Sequence, residues 1–266
     1  MTANDFEYDG LLLSDFGFIM CSFSSNNEET VTNGSNIEFN TSPTLSGSKH
    51  ELANTKYNEC LTTTFQICKN PEGKSQEECY ITLDEMANLT RWLNRQGFYK
   101  FKIIKEEYEN IYFEASFNIS KIEFFGHIIG LELELNTNRP FALYEPIRKT
   151  FRITKNNQIE IFKDISDEIG YIYPKVEITC NAAGTLKIHN ALENRDTIIE
   201  NCVAGEVITM EYPVISSSIP THQIQNDFNY VFFRVANTFR ERGNKLTFSL
   251  PCTMKIIYQP IRKVGI

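Results

Sequence analysis

LTRWLNRQGFYKFKII, residues 89–104, carries the change of period that decides the fold. Before it, Leu83, Met86, Leu89, Trp92 and Leu93 recur at helical spacing, so residues 81–97 predict one helix with a single buried stripe. Thr82 is placed to cap that helix, Glu85 completes a capping box three residues on, and Gly97 supplies a left-handed stop. From Tyr99 the apolar positions alternate, the signature of a strand. Trp92, the only tryptophan in 266 residues, stands at the junction. The stretch holds no acid, histidine or thiol, so Trp92 is expected to pack and to lock the helix onto the strands after Gly97.

Working outward, the period of two continues through NIYFEASF and IIGLELELN. In the latter Leu131, Leu133 and Leu135 share one face, and Glu132 and Glu134 share the other, as in a half-buried antiparallel strand. NRPFALYEP breaks the alternation with Pro140 and Pro146 and marks a boundary near residue 145. Beyond it FRITKNNQIEIF, YPKVEITC, GTLKIHN, DTIIENC, EVITMEYP, YVFFRV, NKLTFSL and CTMKIIYQP read as short strands of a sandwich. The last of these puts Cys252, Met254, Ile256 and Tyr258 on one face. Upstream, residues 24–50 are rich in Ser, Thr, Asn and Gly and predict a long exposed loop or arm, ordered by a partner or free on the surface. The fold class expected is mainly β: an N-terminal β-sandwich-like domain with one α-helix, and a C-terminal β-sandwich.

Composition narrows the function. Hydrophobic residues make up 41%, and no apolar run approaches the ~20 residues that span a bilayer, so membrane insertion is not expected. The N-terminus has acids where a secretory signal carries a basic patch, which points to synthesis in a cytoplasm. A net charge of −8, from 34 acids and 26 bases, argues against gripping nucleic acid by its phosphates, though not against letting DNA pass. Seven cysteines without a CxxC pair predict no disulfide framework and no zinc site, and the several that lie within apolar alternations are expected to be small buried hydrophobes.

Catalytic motifs fail on inspection. GKS at 73–75 lacks the upstream glycine of a phosphate loop, since Cys68 stands there. HELAN, from His50, has Asn54 in place of a second histidine and reads as turn-like. Glu132 and Glu134 are expected to be solvated strand acids. His50, His127, His189 and His222 are scattered without a neighbouring nucleophile. No catalytic residue, metal ligand or cofactor site is assigned, and the chain is not expected to be an enzyme.

The order of the pieces is more specific than any one of them. FEYDGLLLSDFGFIM, the helix ending RWL at 91–93, IYFEASFNISKIEFFGHIIGLELELNTNRPFA, YPKVEITCNAAGTLKIHN, VAGEVITM at 203–210 and NKLTFSLPCTMKIIYQPIRK together resemble the distal tail protein family of long-tailed bacteriophages, over nearly the whole chain. The resemblance implies a ring-forming N-terminal domain over residues 1–145 and a galectin-like β-sandwich over 146–251, with the closing strand, 252–266, a candidate to return to the first domain. It implies structural anchors at Trp92, Leu93, Gly97, Gly130, Pro140, Phe141, Gly184, Asn190, Gly205 and Tyr258. It further implies a homo-hexameric hub at the virion tail tip, with the tail tube protein above, a tail-associated tip or baseplate hub protein below, a tape-measure protein as a further candidate partner, and DNA passing through the lumen unbound. Residues 24–50 depart from the family pattern in being richer in Asn and Ser. Two rivals stand beside this expectation: a carbohydrate-binding host-recognition protein using the second half, and a baseplate enzyme that cuts cell wall.

Overall fold

A computed structural model describes residues 5–23, 36–45, 47, 49–57 and 59–264. The chain divides into two compact units, Met1–Leu143 with Lys263–Ile266, and Tyr144–Arg262.

In the first unit the elements run β1 (Phe6–Tyr8), β2 (Leu11–Leu12), β3 (Phe18–Cys21), β4 (Ile37–Pro43), β5 (His50–Tyr57), β6 (Thr62–Lys69), α1 (Leu83–Leu93), β7 (Tyr99–Ile103), β8 (Ile111–Phe124), β9 (His127–Thr137) and β10 (Ala142–Tyr144). The main sheet has the order β2-β1-β7-β8-β9-β6-β3, and β10 lies beside β8. Phe6 on β1 and Phe65 on β6 are four places apart in that order, yet their ring centroids are 5.6 Å apart. At ~4.8 Å per strand a flat sheet would separate them by roughly 19 Å. The sheet therefore curls until its two halves face each other, which makes the unit sandwich-like. Phe101 and Phe117 fill the space between, each within 6 Å of Phe6 in ring-to-ring distance.

The helix is capped as its sequence dictates. Thr82 accepts the Glu85 backbone N–H at 3.3 Å, and the Glu85 carboxylate accepts the Thr82 N–H at 2.8 Å. Its other end differs from expectation. The helix stops at Leu93, and Gly97, with φ 116°, lies in the turn beyond. Asn94 ends it, because its side-chain amide leaves to donate to the Phe117 carbonyl at 2.7 Å. The expected stripe is buried at Leu89, Trp92 and Leu93, but Leu83 in the first turn is 73% exposed. Trp92 stacks on Phe16 at 4.4 Å and on Phe6 at 5.8 Å, and its indole N–H donates to the Tyr8 carbonyl at 3.0 Å. It thus packs against β1 and the turn after β2, on the N-terminal side of the helix, rather than on the strands that follow Gly97.

Two expectations about residues 24–57 need revision. The loop predicted over 24–50 falls partly outside the described residues. Its later part is β4, which pairs antiparallel with β5 in a separate two-stranded sheet. HELAN is the start of β5, a strand and not a turn. Both strands are almost wholly exposed, so no buried face imposed the alternation by which strands are recognised.

The second unit continues with β11 (Ile147–Ile153), β12 (Gln158–Lys163), β13 (Gly170–Ile172), β14 (Lys175–Cys180), β15 (Gly184–Asn190), β16 (Arg195–Cys202), β17 (Val207–Glu211), β18 (Val214–Ser217), α2 (Ile224–Asp227), β19 (Val235–Asn237), β20 (Gly243–Phe248) and β21 (Cys252–Tyr258). Sheets of order β11-β21-β14-β17-β18 and β12-β20-β15-β16 face each other across a core that includes Phe151, Ile178, Met254, Leu186, Ile188 and Phe248. The closing strand belongs here, not to the first unit: β21 is hydrogen-bonded between β11 and β14, and Cys252, Met254, Ile256 and Tyr258 are all buried. The residues after it do return: Ile261–Arg262 form a short strand hydrogen-bonded to β10 in the nine-stranded sheet, and Lys263 and Val264 group with the first unit. YVFFRV, expected as a strand, is irregular until Val235, where the short β19 begins and pairs with β13; Phe232 and Phe233 before it are buried in the second core without strand pairing.

Candidate assembly surface

On the main sheet of the first unit, the face away from the aromatic core is polar. Strand register places Glu7 with Lys102, Lys100 with Glu114, Asn118 with Glu134, and Gln66 with Glu132 on this side. The groups satisfy one another: Asn118 donates to Glu134 at 2.9 Å, Gln66 to Glu132 at 3.3 Å, and Arg139 and Asn138 to Glu114 at 3.0 and 2.9 Å. Burial works against a charge on Glu114, but the bonds from Asn138 and Arg139 hold its carboxyl below the ordinary range. The face is thus ordered, wet and slightly acidic, with Glu7, Glu114, Glu132 and Glu134 set against Lys100, Lys102 and Arg139.

The predicted anchors do not converge on one site. Trp92 and Leu93 are core residues of α1, while Gly97 serves the turn before β7. Gly130 lies in β9, where a Cβ would press into the Phe23 ring and lie 2.9 Å from the Ile67 carbonyl oxygen. Pro140 is half-buried after β9, and Phe141 sets its ring edge-on to Tyr57 at 6.2 Å. In the second unit Gly184 opens β15 with φ 139°, and Gly205, φ 84°, turns the chain toward β17 while donating to the Cys180 carbonyl at 2.8 Å. Asn190 is buried and donates to Asn244 at 2.8 Å. Asn244 in turn accepts from the Ala236 N–H at 2.8 Å and donates to its carbonyl at 2.9 Å, which ties β19 to the sheet. The Tyr258 hydroxyl accepts the Ile165 N–H at 3.3 Å, and burial pushes its pKa up.

Sequence reading missed the densest ionisable cluster. His222 Nδ1 meets Glu206 at 2.5 Å and its Nε2 lies 3.1 Å from Asp227, while the Ser217 hydroxyl donates to Glu206 at 2.5 Å. The side chains of His222 and Glu206 are 4% and 0% exposed, so the pair is closed off from any substrate. Burial disfavours the charge on His222, but Glu206 and Asp227 together hold its pKa above an ordinary histidine. Residues separated by a hairpin and a loop gave no spacing by which this cluster could have been found. The thiols behave as small hydrophobes where buried: Cys180, Cys202 and Cys252 sit in the second core, and desolvation pushes Cys252 up to about 12. Among the described residues, no group of three or more His, Cys, Asp or Glu side chains is arranged to hold a metal ion.

With this geometry in view, the comparisons identify the chain. A profile described as a phage tail protein N-terminal domain matches residues 1–139, and one described as a phage tail C-terminal domain matches residues 141–258. The chain belongs to this phage tail protein family. It is a structural component of a phage tail. A search against curated proteins by sequence finds no match. Among solved structures, the Dit protein of phage SPP1, described as a paradigm of the hub adsorption apparatus in phages infecting Gram-positive bacteria, matches with TM-score 0.63 and 10% identity. The match covers 96% of this chain and 98% of that one. At such low identity the likeness establishes the fold: a two-unit, mainly β chain laid out as in Dit.

Proposed function

We propose that this phage tail protein is a distal tail hub: six copies close a ring through their first units, the second units project outward, and the ring joins the tail tube above to the tip or baseplate hub below. The observation that carries the reading is the extent of the fold likeness, which takes in both units in the same order and leaves almost nothing of either chain unmatched. The polar sheet face supports it further. Turned toward a central channel, an ordered and mildly acidic wall repels phosphate and lets DNA slip through without binding. A tape-measure protein would occupy the same channel before DNA leaves. The protein is made in the bacterial host cytoplasm and ends at the virion tail tip. Antibody or gold labelling of the chain in intact particles tests this: label at the junction of tube and tip is expected, and label anywhere else overturns it.

One observation favours a second role in host recognition. Beside Tyr212, whose ring is stacked on Tyr173 at 4.3 Å and leaves its other face exposed, a shallow surface depression is lined by Thr209, Glu211, Val214 and Ser216, polar groups of the kind that bond a saccharide. Binding of the full chain to a glycan array, lost in Tyr212→Ala, would establish it, and a blank array would remove it.

A further inference from the structure

We propose that Cys21 and Cys68 are a redox-active pair that closes into a disulfide between β3 and β6 when the reduced chain meets a low-molecular-weight disulfide. The chemistry lies within one chain and needs neither ring closure nor a partner protein.

Irregular spacing of the seven cysteines predicts no disulfide framework, but strand pairing brings two of them together. In the β3–β6 register Ile19 stands opposite Cys68 and Cys21 opposite Gln66, so Cys21 and Cys68 are diagonal neighbours on one face of the sheet. That is the polar face, turned away from the aromatic core, and both thiols are partly exposed on it. They are in contact. The Cys21 S–H donates to the Cys68 sulfur, which favours Cys68 as a thiolate and lowers its pKa while raising that of Cys21. Diagonal partners stand about 7–8 Å apart, and a disulfide asks for roughly 5.5–6 Å between Cα atoms. Strand β3 is able to close that difference. It is an edge strand bonded to β6 on one side only, and Cys21 is its last residue, so its end moves inward without breaking an inner pair of strands.

The other cysteines lack this combination. Cys180 and Cys202 also share a hydrogen bond, yet Cys180, Cys202 and Cys252 are 0%, 2% and 0% exposed, and the folded core keeps an oxidant from them. Cys60 and Cys79 lie outside the strands, where no register sets a second thiol beside them. At the Cys21–Cys68 pair the exchange runs in two steps. The Cys68 thiolate attacks one sulfur of the small disulfide, forming a mixed disulfide and expelling one thiolate, which takes up the Cys21 proton. Cys21 then attacks the Cys68 sulfur and expels the second thiolate. Two protein thiols become one disulfide, and the small disulfide receives the two electrons to become two thiols. A reducing cytoplasm keeps the pair open, and the oxidising medium that a released virion enters closes it.

The test moves the full-length chain, purified with reductant, into oxidised glutathione. The protein is then alkylated, digested and mapped by mass spectrometry, and melting is followed by Trp92 fluorescence. A peptide pair joined through Cys21 and Cys68 is expected, with the first unit melting roughly 5–10 °C higher and reductant reversing both changes. In Cys21→Ser, Cys68 should hold glutathione as a trapped mixed disulfide, whereas in Cys68→Ser, Cys21 should take up at least tenfold less. Both variants should melt like the reduced wild type and lose the rise on oxidation. Cys21 and Cys68 that stay free, that each carry their own glutathione, or that join other cysteines overturn the pair. A Cys21–Cys68 linkage without the rise means that the bridge forms against the fold, and overturns it as well.

Discussion

Replacing Trp92 with alanine should uncouple the helix from the first unit. The indole is 7% exposed, stacks on Phe16 and Phe6, meets Tyr8 edge-on at 6.1 Å, and donates to the Tyr8 carbonyl. Truncating a buried tryptophan costs about 3–5 kcal/mol through lost transfer energy and the cavity left behind. The Tyr8 carbonyl loses a bond worth about 1 kcal/mol within that total. For a unit of this size each kcal/mol moves Tm by roughly 2–4 °C, so a drop of about 10 °C is expected. Trp92→Phe keeps most of the stacking and loses the N–H donor, and should fall by about a third as much. The wild-type reference is direct, because the sole tryptophan makes indole fluorescence a report on the first unit alone. The variants are followed by calorimetry, in which the second unit serves as an internal control. Trp92→Ala melting within 2 °C of wild type would refute the packing argument.

Other perturbations reach other parts of the chain. Gly130→Ala forces either the Phe23 ring or the Ile67 backbone to move and should destabilise the first unit by about 1–3 kcal/mol in urea unfolding. His222 binds its proton more tightly folded than unfolded, so its contribution is complete below the ordinary value of 6.5 and fades as pH rises through the folded value. Glu206 is shifted the other way, so its contribution is present above 4.5 and fades as pH falls. The second unit should therefore melt highest between these limits, and His222→Ala should remove the decline on the alkaline side while lowering stability by about 3 kcal/mol through the stranded carboxylate. Arg234 forms a two-pronged pair with Glu193 and lies over the Tyr171 ring at 3.7 Å; Arg234→Met should cost about 2–4 kcal/mol, measured by denaturant unfolding of the second unit.

Where one face of an element is buried, the sequence announced it. Leu131, Leu133 and Leu135 alternate with Glu132 and Glu134 because β9 has a core on one side only, and the Thr82–Glu85 box is a local signal that needs no tertiary context. Legibility fails where burial is decided by a distant partner. The β4–β5 hairpin has no core beneath it and read as a polar loop. Phe232 and Phe233 are buried in the second core, Phe232 edge-on to Phe228 and Tyr212, without strand pairing. Glu206, Ser217, His222 and Asp227 meet only because β17, β18 and α2 are folded together. The polar face proposed to line the channel was legible in one respect, the acids of β9; which strands stand beside them follows from strand order, which no period in the sequence records.

The hub reading of this phage tail protein turns on self-association, and its mass in solution tests that most directly. Light scattering coupled to size separation should give about six times the 30.7 kDa of one chain, with six-fold symmetric rings in electron micrographs of the same fraction. A single chain's mass at every concentration, with no rings in the images, would contradict the account.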